Sequence, residues 1–487
     1  MVDNYNFENI SPEKLMKITY KATNNFQYRS LFKAKEDIIK HGKYTEKELN
    51  NILDSIFDAE TARKYIIMEL NGKEPLSVDE ISEIIAFPKK NIIRDVLYLK
   101  EQGYLEEKVE YISAKNGTSE GQNKIYKYKV CETEDNFKVN YFDPVWIIND
   151  ENICCHCGLC PSICPLDCID LTSNSLHVDE ESCIRCGLCF SVCPHSFSFE
   201  QIYNYFTQSN KNINFSTNFG LYQNIYSART SIQQLEEKVQ DGGVVTTLLY
   251  YLLDKKLVDA VLTIKHSKDF WKPEIKIIED KNELYKTAGR IYAHTPILSK
   301  LYDIKEYEGI AIVALPCSIK AIKKGTLFPA KLPFFDNIKY KIGLFCVESF
   351  PYENISNLLN DKFNAEIDEI IKMKIYKGRL FVTFDSGEES SIPLKECDQY
   401  SYKYCHYCDD LTSELADISI GSIGSKLGWS TVITRNKVGE ELLNGTIKQG
   451  LVEKKVLIDI KTYQAHIEKI AEQKREKCIT VELHKIY

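Results

Sequence analysis

Two cysteine runs near the middle of the 487-residue chain constrain its fold more than any other feature. They read Cys154-x-x-Cys157-x-x-Cys160-x-x-x-Cys164-Pro165 and Cys183-x-x-Cys186-x-x-Cys189-x-x-x-Cys193-Pro194, one spacing repeated with a period of 29 residues. In such a run three thiolates within a tight loop grip three irons of a cubane, and the fourth leaves on the next element to ligate the other cubane. The expected assignment is therefore crossed. One cluster takes Cys154, Cys157, Cys160 and Cys193; the other takes Cys183, Cys186, Cys189 and Cys164. Proline after the fourth cysteine removes a backbone donor and stops a regular helix, so the sulfur can turn inward. Paired Cys-x-x-Cys runs also hold zinc, but a zinc site needs one set of four ligands and no closing proline. A disulfide scaffold is the remaining alternative.

Seventeen cysteines in a chain that opens Met1-Val2-Asp3-Asn4-Tyr5, without a basic region followed by an apolar stretch, point to a reducing compartment. A cytoplasmic location is expected. Apolar runs such as Ile310 to Leu315 fall far short of a membrane helix, so no membrane span is expected. With 44% hydrophobic and 27% charged residues the composition is that of a soluble globular protein, and the length implies two to four domains. The net charge of -8 argues against affinity for nucleic acid. From Glu151 to Glu200 there are seven acidic side chains against one basic, Arg185, a surface suited to a basic patch on a redox partner or simply to solubility.

The expected organisation has four segments: residues 1–140, 141–200, 201–225 and 226–487. In the first, Thr45-x-x-Glu48 opens a helix to Ala59, and a second apolar helix from Glu60 ends at Asn71-Gly72. Ser77 with Glu80 caps a helix to Ala86, and Pro88 opens another to about Gln102. Strands Tyr104 to Ile112 and Lys124 to Val130 follow, joined by the Gly/Asn/Ser-rich stretch 115–123. Three helices and a two-stranded wing read as a winged helix, similar to the generic archaeal and bacterial winged helix-turn-helix. On duplex DNA it would offer Lys89, Lys90, Asn91 and Arg94, beside the repelling Glu101, Glu106, Glu107 and Glu110. Docking to another protein is the favoured role, and nucleic acid is not expected as a partner. The aromatic, Asn-rich stretch 201–225 reads as a linker. Beyond it, strand-like runs (Ala260 to Ile264, Ile310 to Leu315, Lys341 to Cys346, Val432 to Arg435) alternate with helical ones, which argues for an α/β domain.

Three small-residue loops stand out in that domain: Gln240-Asp241-Gly242-Gly243-Val244-Val245-Thr246, Thr287-Ala288-Gly289-Arg290-Ile291-Tyr292, and Gly421-Ser422-Ile423-Gly424-Ser425 with Gly428-Trp429-Ser430. Adjacent glycines before a helix let backbone N–H groups approach a phosphate, although a plain turn explains a single such loop equally well. His294 could join the site or be an ordinary core histidine. Four cysteines fall at Leu315-Pro316-Cys317, Phe345-Cys346 and Cys405-His406-Tyr407-Cys408, enough for one more 4Fe-4S cluster, with zinc as the rival.

The paired runs resemble the bacterial-type two-cluster ferredoxin over roughly residues 145–200. The motifs Gln240-Asp241-Gly242-Gly243, Leu315-Pro316-Cys317, Leu344-Phe345-Cys346-Val347-Glu348-Ser349-Phe350, Cys405-x-x-Cys408-Asp409 and Ala416-Asp417-Ile418-Ser419-Ile420-Gly421-Ser422-Ile423-Gly424 resemble the beta subunit of coenzyme F420-reducing hydrogenase. That family also includes subunits of F420-dependent formate dehydrogenases, F420H2-oxidising complexes and F420-dependent sulfite reductase. The resemblance spans about 225–440. It implies FAD, on which the deazaflavin of substrate F420 exchanges hydride, beside a cluster on Cys317, Cys346, Cys405 and Cys408. FAD contacts would come from Gln240, Asp241, Gly242, Gly243, Val244, Thr246, Gly289, Arg290, Tyr292, His294, Gly421, Ser422, Gly424 and Trp429. No side chain need be a catalytic acid or nucleophile, because the cofactors carry the chemistry.

An anaerobic archaeal, F420-linked oxidoreductase subunit with FAD and three 4Fe-4S clusters is thus expected. Its partner in a larger complex would be a CO dehydrogenase, a hydrogenase, a formate dehydrogenase or a heterodisulfide-reductase-type enzyme. The alternatives are a redox-sensing winged-helix regulator and a ferredoxin-flavin reductase that does not use F420. Cys155 and Cys168 depart from the ferredoxin pattern as extra thiols, and the N-terminal extension departs from the hydrogenase family's.

Overall fold

The computed structural model describes residues 5–23, 25–101, 104–112, 123–131, 148, 153–172, 175–196, 214–236, 239, 241–267, 271–289, 291–327, 332–455 and 460–479. Near the start of the chain one helix, Glu46–Leu70, runs through the position where a break was expected at Ala59. Neither glycine nor proline interrupts it, and its first turn carries the expected box. The Glu48 carboxylate accepts from the Thr45 N–H at 2.7 Å, and the Thr45 hydroxyl accepts from the Glu48 N–H at 3.2 Å. Ser77 and Glu80 repeat this ahead of Val78–Ile85.

Helix Lys89–Glu101 and a three-stranded sheet in the order Leu76–Ser77, Asn123–Val130, Leu105–Ile112 complete the N-terminal unit. The core of that unit joins Ala62, Ile66 and Leu70 to Ile81, Ile92, Val96 and Leu105. Two of the four residues expected to be available to DNA are not. Asn91 and Arg94 are buried, and Arg94 donates to Asp95 at 3.1 Å beside Arg63, which also donates to it at 3.1 Å. A fully buried carboxylate needs such partners, so Asp95 draws Arg94 off the helix surface. The stretch 115–122 and the end of the helix at Gln102 lie outside the described residues.

The largest element is a mixed eight-stranded sheet. From edge to edge its strands are Pro273–Ile278, Ala260–His266, Ile310–Ala314, Ile338–Leu344, Ile418–Gly421, Ser430–Thr434, Asn224–Thr230 and Val452–Lys455. The second to fifth are parallel, and the rest pair antiparallel. Strand Ile310–Ala314 shows why the run is wholly apolar. Ile310, Ile312 and Ala314 face one core, Ala311 and Val313 the other, so both faces are covered. Part of the stretch read as a linker is structured: Asn214–Ser216 pairs with Gly220–Tyr222, and Phe219 between them is fully buried. Residues 201–213 of it lie outside the described residues. A three-stranded antiparallel sheet, Ile370–Tyr376, Arg379–Phe384 and Glu389–Pro393, packs with helix Tyr352–Phe363 as a satellite.

The paired cysteine runs fold into two short helices, Leu159–Ile163 and Leu188–Val192, with the hairpin Ile169–Leu171/Leu176–Val178 between them. Their Leu159, Ile163, Leu188 and Val192 share a core with Leu49, Ile52 and Ile56 of the long helix and with Ile319 and Ile322 of helix Pro316–Leu327. The two halves of Glu46–Leu70 therefore serve different cores. Among the described residues no helix is long and apolar enough to cross a membrane.

Candidate functional site

Each cysteine run builds a loop in which a glycine takes positive φ, Gly158 at 87° and Gly187 at 69°, and a short helix then carries the chain to the fourth cysteine. One cavity is lined by Cys154, Cys155, Cys157, Cys160, Cys189 and Cys193; a second is lined by Cys164, Cys168, Cys183, Cys186 and Cys189, so Cys189 borders both. The fourth cysteine of each run thus faces the other run's cavity. Burial pushes the thiols of Cys154 and Cys186 up to about 12 and that of Cys193 to about 11, whereas hydrogen bonds from Cys168 pull Cys164 down to about 7 and Cys183 to about 6. The extra thiols occupy definite places. Cys168 lines the second cavity with its Sγ 3.3 Å from that of Cys164, and Cys155 hydrogen-bonds towards both Cys157 and Cys317.

Cys317 lies in the first turn of helix Pro316–Leu327, at the carboxyl end of Ile310–Ala314. Cys346 follows Ile338–Leu344, its N–H donating to the Leu411 carbonyl at 2.9 Å; Cys405 lies within the 3-10 turn Lys403–Tyr407 and Cys408 at its C-cap. The four thiols are close enough to act on one another electrostatically, and burial pushes Cys346 up to about 12. Hydrogen bonds from Cys155 and Tyr404 pull Cys317 down to about 7. Two residues that no motif marked complete the surroundings. Lys474 donates to the carbonyls of Cys346 and Asp410, and Lys324 donates to the Cys193 carbonyl at 2.6 Å and the Ser196 hydroxyl at 2.7 Å.

The glycine loops stand at this same edge of the sheet. After Asn224–Thr230 the chain turns at Gly242 and Gly243 into helix Val244–Asp254, whose N-cap residue is Gly243 and supplies no side-chain cap. A Cβ on Gly242 would lie 2.4 Å from the Ala228 carbonyl and 2.6 Å from the Ser430 nitrogen, and the Gly242 N–H donates to the Ser430 hydroxyl at 3.1 Å. Loops 241–246 and 421–430 are thereby one structure. Val244 and Thr246 are buried in its wall, and the Trp429 ring lies under Arg229 at 4.9 Å and Lys455 at 4.2 Å. Gly421 has no room for a Cβ against the Phe345 ring, and Gly424 takes a φ of 92°. Asp241 and Ser422 lie in the same two loops, whereas Gln240 and Arg290 lie outside the described residues.

The loop containing Gly289 lies beside His266, at the carboxyl end of strand Ala260–His266. Its Tyr292 hydroxyl accepts from the Ile375 N–H at 3.0 Å and so ties it to the satellite sheet. His294 turns away from the glycine loops towards the cysteine runs. Its Nε2 donates to the His156 carbonyl at 3.1 Å, its ring lies 5.3 Å from that of Tyr402, and burial lowers its pKa to about 4.

Residues 225–302 match the family described as coenzyme F420 hydrogenase/dehydrogenase beta subunit, N-term, and residues 307–459 match its C terminus. The chain is 36% identical over 262 residues to the coenzyme F420 hydrogenase subunit beta of Methanothermobacter thermautotrophicus, covering 53% of this chain and 93% of that one. The chain belongs to this family. Residues 176–197 match a 4Fe-4S binding domain, which takes in Cys183, Cys186, Cys189 and Cys193. A coenzyme F420-dependent sulfite reductase from Methanocaldococcus jannaschii is 32% identical over 349 residues, 66% of this chain and 52% of that protein. Among solved structures, a chain of the F420-reducing NiFe hydrogenase complex from Methanosarcina barkeri shares 30% identity at a TM-score of 0.52, over 54% of this chain and 92% of that chain. Members of the family are oxidoreductase subunits, and this one pairs the family's mixed α/β domain with a ferredoxin-type domain.

Proposed function

We propose that this family member exchanges hydride with coenzyme F420 at FAD and passes single electrons through three 4Fe-4S clusters to or from a partner redox enzyme. The observation that carries this reading is the common edge. Gly242–Gly243, Gly421–Ser430 and the four thiols of Cys317, Cys346, Cys405 and Cys408 share the carboxyl ends of the central strands, where α/β sheets bind ligands, and Cys155 connects Cys317 to the first ferredoxin cavity.

The residues fit the groups. Cys317, Cys346, Cys405 and Cys408 interact with one another and supply the four thiolates that a 4Fe-4S cluster takes. The uncapped helix at Gly243 and the paired glycine loops suit a dinucleotide pyrophosphate. A flavin supplies the exchange between two-electron and one-electron chemistry when bound.

The chain's own residues supply placement and exclusion of water. Gly242 holds the two loops together, the Leu298 N–H donates to the Cys157 carbonyl at 2.9 Å, and Lys324 fixes the Cys193 turn. The ferredoxin module is thereby docked against the four-thiol site. The N-terminal unit reads as a winged-helix docking module for the partner, a CO dehydrogenase, hydrogenase, formate dehydrogenase or heterodisulfide-reductase-type enzyme. Purified protein reconstituted with flavin, iron and sulfide should reduce viologen with reduced F420 as donor; no viologen reduction would overturn the proposal.

A further inference from the structure

The family match ends at residue 459, before helix Ile460–Lys477, yet that helix reaches the four-thiol site. Its Ile467 and Ala471 are fully buried with Phe219, Leu411 and Ile433, which fixes the helix against the sheet. From this anchor Lys474 turns its ammonium to the Cys346 carbonyl at 2.7 Å and the Asp410 carbonyl at 2.9 Å. Both acceptors are neutral. Of the carboxylates nearby, Glu414 and Asp409 pair with the next residue, Arg475; Asp410 accepts from the Thr412 and Glu414 N–H groups, and burial pushes Glu348 up to about 8.

We propose that Lys474 is a positioning residue that sets the reduction potential of the cluster on Cys317, Cys346, Cys405 and Cys408. This rests on the reading above that those thiols hold a 4Fe-4S cluster. One-electron reduction adds a negative charge to the cluster and its thiolates, and a fixed cation beside them favours the reduced form. All four cysteines feel the Lys474 charge. At an effective dielectric near 20, a unit charge within about 8 Å moves such an equilibrium by roughly tenfold or more.

The test is an EPR-monitored dithionite titration of the reconstituted full chain, with iron counted in each sample. Lys474→Gln keeps a donor for the two carbonyls and removes the charge. Its third-cluster midpoint should fall by at least about 59 mV, the equivalent of a tenfold shift, with the ferredoxin midpoints unmoved and Lys474→Arg close to wild type. An unchanged midpoint in Lys474→Gln with full iron content would overturn the proposal. Should that variant lose the cluster, Lys474→Arg decides: a wild-type midpoint supports the role of the charge, and a lowered one overturns it. Absence of a third cluster from the wild type would instead overturn the underlying reading, and this proposal with it.

Discussion

Gly242 and His294 show how single residues tie the site together. A Cβ at Gly242 would press on two backbone atoms, at 2.4 and 2.6 Å, and backbone cannot step aside as a flexible side chain can. Gly242→Ala should therefore cost about 1–3 kcal/mol and strip bound flavin, checked by flavin absorbance after gel filtration beside a denaturant titration. His294 is neutral in the folded chain because burial lowers its pKa from the usual 6.5 to about 4. The unfolded chain takes up this proton first as pH falls. Stability is thus full above about pH 6.5 and declines towards pH 4, by up to about 3 kcal/mol. Unfolding midpoints across that window should fall in the wild type and fall less in His294→Gln.

Helix Glu46–Leu70 is the element that makes one molecule of two cores. Ile52 packs beside the ferredoxin module, Ile66 within the N-terminal unit, and both are fully buried. Truncating either to Ala should cost about 2–5 kcal/mol. Only Ile52→Ala should also speed iron release to a chelator, because only it loosens the wall of the cluster domain. Local signals carried this part of the fold. Thr45 with Glu48 and Ser77 with Glu80 marked helix starts because a capping box is complete within four residues, and the all-apolar Ile310 to Leu315 marked a strand. What the sequence could not show was set by distant partners. The unbroken helix at Ala59 depends on two cores that share it, and Arg94 turns inward to a cluster that joins Asp95 to Arg63 and Tyr5, distant in sequence. Lys474 looks like any other lysine of a polar helix until Cys346 and Asp410 are placed beneath it.

Across the whole molecule the cysteine runs, the four-thiol site and the glycine loops form a single series from the ferredoxin module to the sheet edge. Spacing alone leads to the expectation of a crossed grouping, and Cys193 lines the first run's cavity and Cys164 the second's, with Cys189 bordering both. The junction was not legible: Cys155 meeting Cys317 and His294 meeting His156 join segments about 140–160 residues apart in sequence. In the proposed function, electrons from F420 reach the ferredoxin clusters through the four-thiol site. This route is tested most directly by mixing reduced F420 anaerobically with the reconstituted protein and with its Cys408→Ser variant, and following flavin absorbance and cluster EPR signals together. In the wild type, flavin and the ferredoxin clusters should both be reduced; in Cys408→Ser, flavin reduction should persist while cluster reduction slows by at least about tenfold. Equal cluster reduction in the two proteins, or no oxidation of reduced F420 by the wild type, would contradict the account.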